Sequence, residues 1–351
     1  MVTIKDIAEA TGVSCTTVSN VIHNRHHRVS AETIEKINTA IKDLGYIPNM
    51  SARALVSDSS KVIGFINHMV TGKDLNFMED PFNSVFIGIL ERKLREHGYY
   101  LMLRTVDTSE ELLAFLQNWN VDGLFLTGVF QDTFFDALSS LKIPVVLIDS
   151  YIKQLNVFNI GLEDFNGCYA ATSYLIEKGH RNIAFVSPSV HESGVTKERF
   201  NGYRQALTDA SIPYNAHLVI ESEMDYTSCK AASDKLCALP QVTAVVATAD
   251  ILAAGIMVHL RDSGKSVPDD ISVIGFDDIA ISQLITPPLT TIHQDINLKG
   301  SLAVDMMLQK LEGITPRQSQ IVLPTELIER GSVRSIIPPQ HISQSRQPGL
   351  Q

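Results

Sequence analysis

From Lys61 onward the chain alternates twice between short apolar runs and longer amphipathic stretches, and this limits the possible folds more than any other feature. Residues 62–66, 99–103, 123–126 and 144–148 read as buried parallel strands, with helical stretches such as 85–97 and 110–119 between them. A second set follows at 182–187, 218–221, 244–247 and 272–276, with helices at 165–178, 199–210 and 252–261. Two βαβ arrays in succession imply two doubly wound parallel sheets in separate lobes. A late strand at 290–293 and a helix at 298–311 are expected to cross back and complete the first lobe. A length of 351 residues suits two or three such domains better than one small core.

The first 60 residues follow a different rule. Thr3 can cap a helix whose apolar side chains Ile4, Ile7 and Ala8 share one face, and Gly12 supplies the left-handed residue that ends it. Ser14 then caps a second helix with apolar Val18, Val21 and Ile22, while Cys15, Thr16, Thr17, Ser19 and Asn20 are small or polar and point outward. That is a helix-turn-helix: one helix braces, and the next offers hydrogen-bonding side chains to a DNA groove. Ser30 caps a third helix carrying Ile34, Ile37, Ile41 and Leu44, and Gly45 stops it.

Net charge supports contact with DNA through this head alone. The chain carries −10 overall, yet residues 1–61 hold seven Lys or Arg against six Asp or Glu, leaving 22 basic and 33 acidic groups beyond. An acidic body does not wrap nucleic acid, whereas backbone N–H groups, hydroxyls and a few cations suffice to meet phosphates at one end. The apolar fraction of 44% and charged fraction of 19% describe a globular chain. The start MVTIKD lacks the parts of a signal peptide, no apolar run reaches the length of a membrane span, and the four cysteines lack a C-x-x-C spacing. A cytoplasmic protein with reduced thiols and no membrane partner is expected.

No chemistry-bearing motif appears. Phosphate loops, G-x-G-x-x-G, H-E-x-x-H and G-x-S-x-G are all missing, and the histidines are scattered. The expectation is therefore no catalytic residue, no metal and no cofactor. His180, within Gly179-His180-Arg181, suits a structural polar contact at a helix end.

Several motifs together carry a resemblance. The opening TIKDIA…GVS…TVS, then LGYIPN and ARAL, and later GH.NIAFV, R..GY..AL and GFDD, are similar to the LacI/GalR family of bacterial transcription regulators from about Thr3 to about Arg330. The resemblance implies an all-α helix-turn-helix head at 1–47, a hinge helix and linker at 48–60, and a two-lobed α/β core, periplasmic-binding-protein-like, at 61–335. Lobe one would take about 61–160 plus 290–323, and lobe two about 161–289 plus 324–335. The Pro-, Gln- and Ser-rich tail at 336–351 is expected to be disordered and provides no tetramerisation helix.

Function follows as an expectation: a sequence-specific regulator, most simply a repressor, that binds an inverted-repeat operator in double-stranded DNA as a homodimer and answers to a small sugar-like effector. Carried over by position, Cys15, Thr16 and Asn20 face base edges, while Thr3, Ser14, Thr17 and Ser19 suit phosphates. Asn20 departs from the arginine common at its place, and Asn pairs best with adenine. In the hinge, Leu55 would wedge into the minor groove, with Ala52 small enough for close approach and Arg53 able to reach phosphate. The stretch 51–56 is too short to be helical alone, since isolated helices need roughly 12 or more residues.

In the core, Arg199 and Asp277 match positions that grip ligand hydroxyls, with Asp149, Tyr226, Phe82 and Asn83 as further effector candidates. Each has a plainer alternative: Arg199 as a surface helix charge, Asp277 as a helix cap, Tyr226 as core. Two departures bear on ligand choice. Ala249 stands where many sugar-responsive relatives have Asn, and residues 71–80 read as an insertion beside the ligand. A core answering to a partner protein or a non-sugar ligand is thus one alternative, and a solute-binding transport protein a remoter one.

Overall fold

The computed structural model describes residues 2–22, 25, 27, 29–46, 59–68, 77–129, 133–138, 141–152, 158–190 and 193–338. The chain divides into a unit at Met1–Ser60 and a second at Lys61–Gln351.

In the first unit, α1 (Ile4–Thr11), α2 (Cys15–Ile22) and α3 (Ala31–Leu44) follow the expected caps. Thr3 accepts the Asp6 N–H while the Asp6 carboxylate accepts the Thr3 N–H, a reciprocal capping box. Gly12 and Gly45 end α1 and α3 at φ 68° and 65°. Ile7, Ala8, Val18, Val21 and Ile37 form the small core, with Ile34 and Ile41 at its margin. Leu44, expected on the apolar face of α3, is instead 39% exposed, because the helix ends there and its last turn runs past that core.

The second unit contains two six-stranded sheets. The first uses β1 (Val62–His68), β2 (Tyr100–Val106), β3 (Gly123–Thr127), β4 (Val145–Ile148), β5 (Phe158–Leu162) and β11 (Gln320–Leu323) in the order β11-β5-β4-β3-β1-β2, all parallel. The second uses β6 (Ile183–Ser187), β7 (Val219–Glu221), β8 (Ala244–Ala247), β9 (Ser272–Asp277), β10 (Thr290–His293) and β12 (Glu326–Ile328) in the order β12-β10-β9-β8-β6-β7. Only the edge strand β12 runs antiparallel in the second sheet. Strand order is the same in both lobes, so each has its switch point beside its first strand, where ligands gather at the carboxyl ends.

One expectation of the late chain is corrected. Strand β10 belongs to the second sheet, where Thr290 pairs with Ile274 and Ile292 with Phe276. Thr290, Thr291 and Ile292 are fully buried there. The crossing back to lobe one occurs only afterwards, through α12 (Ile296–Leu311), whose Ala303, Val304 and Met307 pack with Phe86 and Leu90 of α4 (Pro81–Glu96). The tail is also held further than expected. Ile336 donates its N–H to the Lys178 carbonyl at 2.9 Å, and 339–351 lie outside the described residues.

Other helices cover the sheets: α5 (Ser109–Asn118), α6 (Thr133–Leu138), α7 (Asp164–Glu177), α8 (Val195–Asp209), α9 (Tyr226–Cys237), α10 (Asp250–Asp262) and α11 (Ile281–Leu284). His180 makes the structural contacts expected of it, to Thr243 Oγ1 at 2.9 Å and the Arg334 carbonyl at 3.1 Å.

Candidate functional site

In the head, Cys15 and Thr16 are exposed on the first turn of α2, and Thr17, Ser19 and Asn20 are half-buried along it. Ser14 caps α2 by accepting the Thr17 N–H at 3.1 Å, and its hydroxyl meets Thr17 Oγ1 at 2.8 Å. The Thr3 hydroxyl lies 2.9 Å from Asp6 Oδ2, so its side chain is committed to the cap. The hinge candidates Ala52, Arg53 and Leu55 lie outside the described residues.

In the core, a cavity of about 260 Å³ opens at the carboxyl ends of both sheets. Lobe one contributes Thr127 at the end of β3, Gly128 and Val129 after it, Asp149 after β4, and Asp80, Phe82 and Asn83 at the start of α4. Lobe two contributes Arg199 on α8, Thr248 and Ala249 after β8, and Asp277 at the end of β9. Five of the six candidates thus line one cavity.

Tyr226 does not. It begins α9, is 72% exposed, and sets its ring edge-on to His259 at 4.6 Å between centroids. Asp225 caps α9 and places Tyr226 on the helix's outward first turn, which removes it from the cleft.

A circuit of buried polar contacts runs under the cavity. Lys299 donates to both oxygens of Asp149 and to Gln294 Oε1, each at 2.8 Å. Gln294 Nε2 donates to Asp277 Oδ1 at 2.6 Å. Arg199 lies 3.6 Å from Asp277, donates from Nε to Asp164 Oδ1 at 2.7 Å and from a terminal nitrogen to the Thr248 carbonyl, and stacks on Phe276. Tyr151 extends these contacts by donating to Asp164 Oδ2. Arg199 is therefore no surface charge and Asp277 no helix cap.

Because Gln294 and Asp164 sit where the chain crosses between lobes, the circuit spans both sheets and two of their connections. Asp149 and Asp277 hold positive φ, 50° and 110°. For a non-glycine residue that costs on the order of 1–3 kcal/mol, a strain commonly kept at functional sites.

Burial pushes the Asp277 carboxyl well above the ordinary carboxylate range; Arg199 pulls against this, while the Asp250 and Asp80 charges add to it. Burial also raises Asp149, against the pull of Lys299, and raises Asp80 despite the Phe82 N–H it accepts. Sequence reasoning missed Lys299, Gln294, Asp164, Asp80 and Thr248. Lys299 left a signal: it interrupts the apolar face formed by Ile296, Gly300 and Ala303.

The model for bacterial regulatory proteins of the lacI family matches residues 3–49, and that for a periplasmic binding protein-like domain matches 172–333. The chain is 34% identical over 348 residues to the HTH-type transcriptional repressor PurR of Haemophilus influenzae (strain PittEE), covering 96% of this chain and all of that one. The chain belongs to the LacI family. Like other LacI-family proteins it is an effector-controlled DNA-binding transcriptional regulator and not an enzyme.

Among LacI-family structures, the lac repressor dimer bound to operator and the anti-inducer ONPF superposes with a TM-score of 0.80 at 28% identity, covering 95% of this chain and 99% of that one. The regulator CelR in complex with cellobiose gives 0.70 at 29% identity, covering 95% and 100%. No helix among the described residues is long and apolar enough to cross a membrane.

Proposed function

We propose that this chain is a cytoplasmic repressor that binds an inverted-repeat operator as a homodimer and is switched by a small polyol, sugar-like in its hydroxyl pattern, held between the core lobes. The observation that carries the effector reading is the interlobe circuit. Asp149, Asp277 and Arg199 line the cavity from both lobes and are fixed from behind by Lys299, Gln294 and Asp164. Carboxylate acceptors and a forked guanidinium together suit vicinal hydroxyls. The cavity volume lies just below the ~300–1,000 Å³ of sites for drug-sized ligands, which favours a single small ring.

A ligand touching both lobes prefers one interlobe arrangement, and only such a preference shifts a switch. Homodimerisation is supported by exposed apolar side chains on α4 and edge strand β2: Val85 at 45%, Tyr100 at 60% and Leu103 at 41%. The reading of lac repressor as an operator-bound dimer and of CelR as a cellobiose binder is consistent with this assignment. Domain limits of 1–47, 48–60 and 61–335 are proposed with it.

The test is selection of operator from random duplexes, followed by titration of the selected site with and without monosaccharides. Recovery of a two-fold symmetric site whose affinity a monosaccharide changes supports the proposal. Recovery of no preferred sequence, or of a site indifferent to every such ligand, would count against it.

A further inference from the structure

The cavity wall carries three carboxylates, Asp80, Asp149 and Asp277, against one guanidinium, Arg199. The nearby cations are already committed. Lys299 gives all three of its observed hydrogen bonds to Asp149 and Gln294. Arg199 divides its one charge among Asp164, the Thr248 carbonyl and Asp277, which it meets as an ion pair at 3.6 Å, so a single guanidinium stands against Asp80, Asp164 and Asp277.

Asp80 and Asp277 stand on opposite lobes, the first capping α4 and the second ending β9; the hydrogen bonds each accepts come from neutral donors, and the two share the one Arg199 charge. Asp80 accepts from the Phe82 N–H at 3.0 Å and Asn83 Nδ2 at 3.1 Å, while Asp277 accepts from Gln294. Asp277 feels the Asp80 charge as a like charge. On the same wall Thr248, only 3% exposed, has a hydroxyl with no partner. Buried polar groups are ordinarily paired, so this orphan calls for a ligand group.

We propose that the effector is an amine-bearing polyol whose protonated amine lies between Asp80 and Asp277, with a nearby hydroxyl meeting Thr248 Oγ1. This rests on the reading of the cavity as the effector site and adds the ligand's charge. A cation placed there answers two carboxylates from different lobes at once, so it favours the arrangement that brings them together. A metal ion is a poorer occupant, since no group of three or more His, Cys, Asp or Glu among the described residues could hold one. An anionic ligand would add charge to a wall already in acidic surplus.

The experiment is calorimetric titration of the full-length protein, in neutral buffer, with glucosamine, glucose and gluconate, repeated on Asp80→Asn and Thr248→Val. Asn caps a helix as well as Asp, so Asp80→Asn keeps α4 intact. A circular-dichroism melt checks this directly. Glucosamine is expected to bind about tenfold or more tighter than glucose, gluconate weakest, with most of the amine's advantage lost in Asp80→Asn. Thr248→Val weakens all the sugars alike. Glucose binding as tightly as glucosamine, or an undiminished amine advantage in Asp80→Asn, overturns the amine assignment and leaves the polyol reading standing. Heat from none of the three overturns both.

Discussion

Lys299 Nζ sits 2.8 Å from each carboxylate oxygen of Asp149, and the lysine side chain is almost completely buried. A helix of lobe one thereby fixes the residue after β4 that faces the cleft, and the same ammonium passes to Gln294 and on to lobe two. Removing one partner of a buried pair leaves the other uncompensated, which costs about 3–5 kcal/mol. Lys299→Met is expected to lower the urea midpoint of the core transition sharply. The double variant Lys299→Met/Asp149→Asn should recover much of the loss. Equal losses in single and double variants would mean the pair is not what holds this region.

Arg199 answers Asp164, the Thr248 carbonyl and Asp277 from one planar group. An ammonium lacks that fork and cannot serve all three directions. Arg199→Lys is therefore expected to shift the effector concentration for half-maximal response by about tenfold or more while operator affinity without effector changes little. Fluorescence anisotropy on labelled operator reads both quantities. A parallel loss of operator binding would place Arg199 in folding and not in ligand response.

The contrast between residues found and missed has a physical basis. Strand periodicity and helix caps are local, so the two lobes and the three head helices were readable, and Arg199, Asp277, Asp149, Phe82 and Asn83 fall on one cavity because family motifs fix positions. The partners of those residues are set by topology. Lys299 is 150 positions from Asp149, and Asp164 is 35 from Arg199, distances that no local pattern spans. The sheet that takes strand β10 is hidden for a related reason: its sequence reads as a strand equally well in either sheet, and only pairing with β9 decides. Tyr226 falls outside the cavity because Asp225 caps helix α9 and turns its first residue outward, an orientation set by the cap and not by the family motifs.

Two glycines predict opposite signs. A Cβ on Gly202 of α8 would come 2.2 Å from the Phe165 carbonyl oxygen of α7, a backbone atom that cannot step aside. Gly202→Ala should destabilise the core by at least about 1–3 kcal/mol. A Cβ on Gly88 of α4 meets nothing within 4 Å. Gly88→Ala should add about 0.5–1 kcal/mol through helix propensity. Thermal melts of both variants, compared with wild type, separate the two effects.

The pH dependence of core stability follows from Asp250. Burial lifts its carboxyl to about 7, against the pull of the Thr291 hydroxyl and the Ile279 N–H. A folded-state value above the unfolded one near ~3.9 means the native state holds more protons between the two, so stability falls as pH rises through that window. Asp80, Asp149 and Asp277 are shifted in the same direction. The core is thus expected to lose stability from about pH 4 to pH 7, with Asp250 contributing up to about 4 kcal/mol, and the fall should be shallower in Asp250→Asn. Urea midpoints across that range provide the check, and a midpoint that climbs toward pH 7 would contradict it.

Base choice by the head turns on Asn20, half-buried on the second turn of α2 behind the exposed Cys15 and Thr16. An amide offers one donor and one acceptor side by side, which matches adenine N6 and N7, whereas a guanidinium offers two donors and matches guanine O6 and N7. The selected operator is therefore expected to carry adenine at the corresponding place in each half-site. Asn20→Arg should move the preference to guanine, with each bidentate pair discriminating by about 1–3 kcal/mol, or roughly 5- to 150-fold. Because both half-sites change together in a symmetric dimer, the exchange should be larger on a full operator than on a half-site. Selection with wild type and Asn20→Arg in parallel tests this, and guanine recovered by the wild-type protein at that place would sink the assignment.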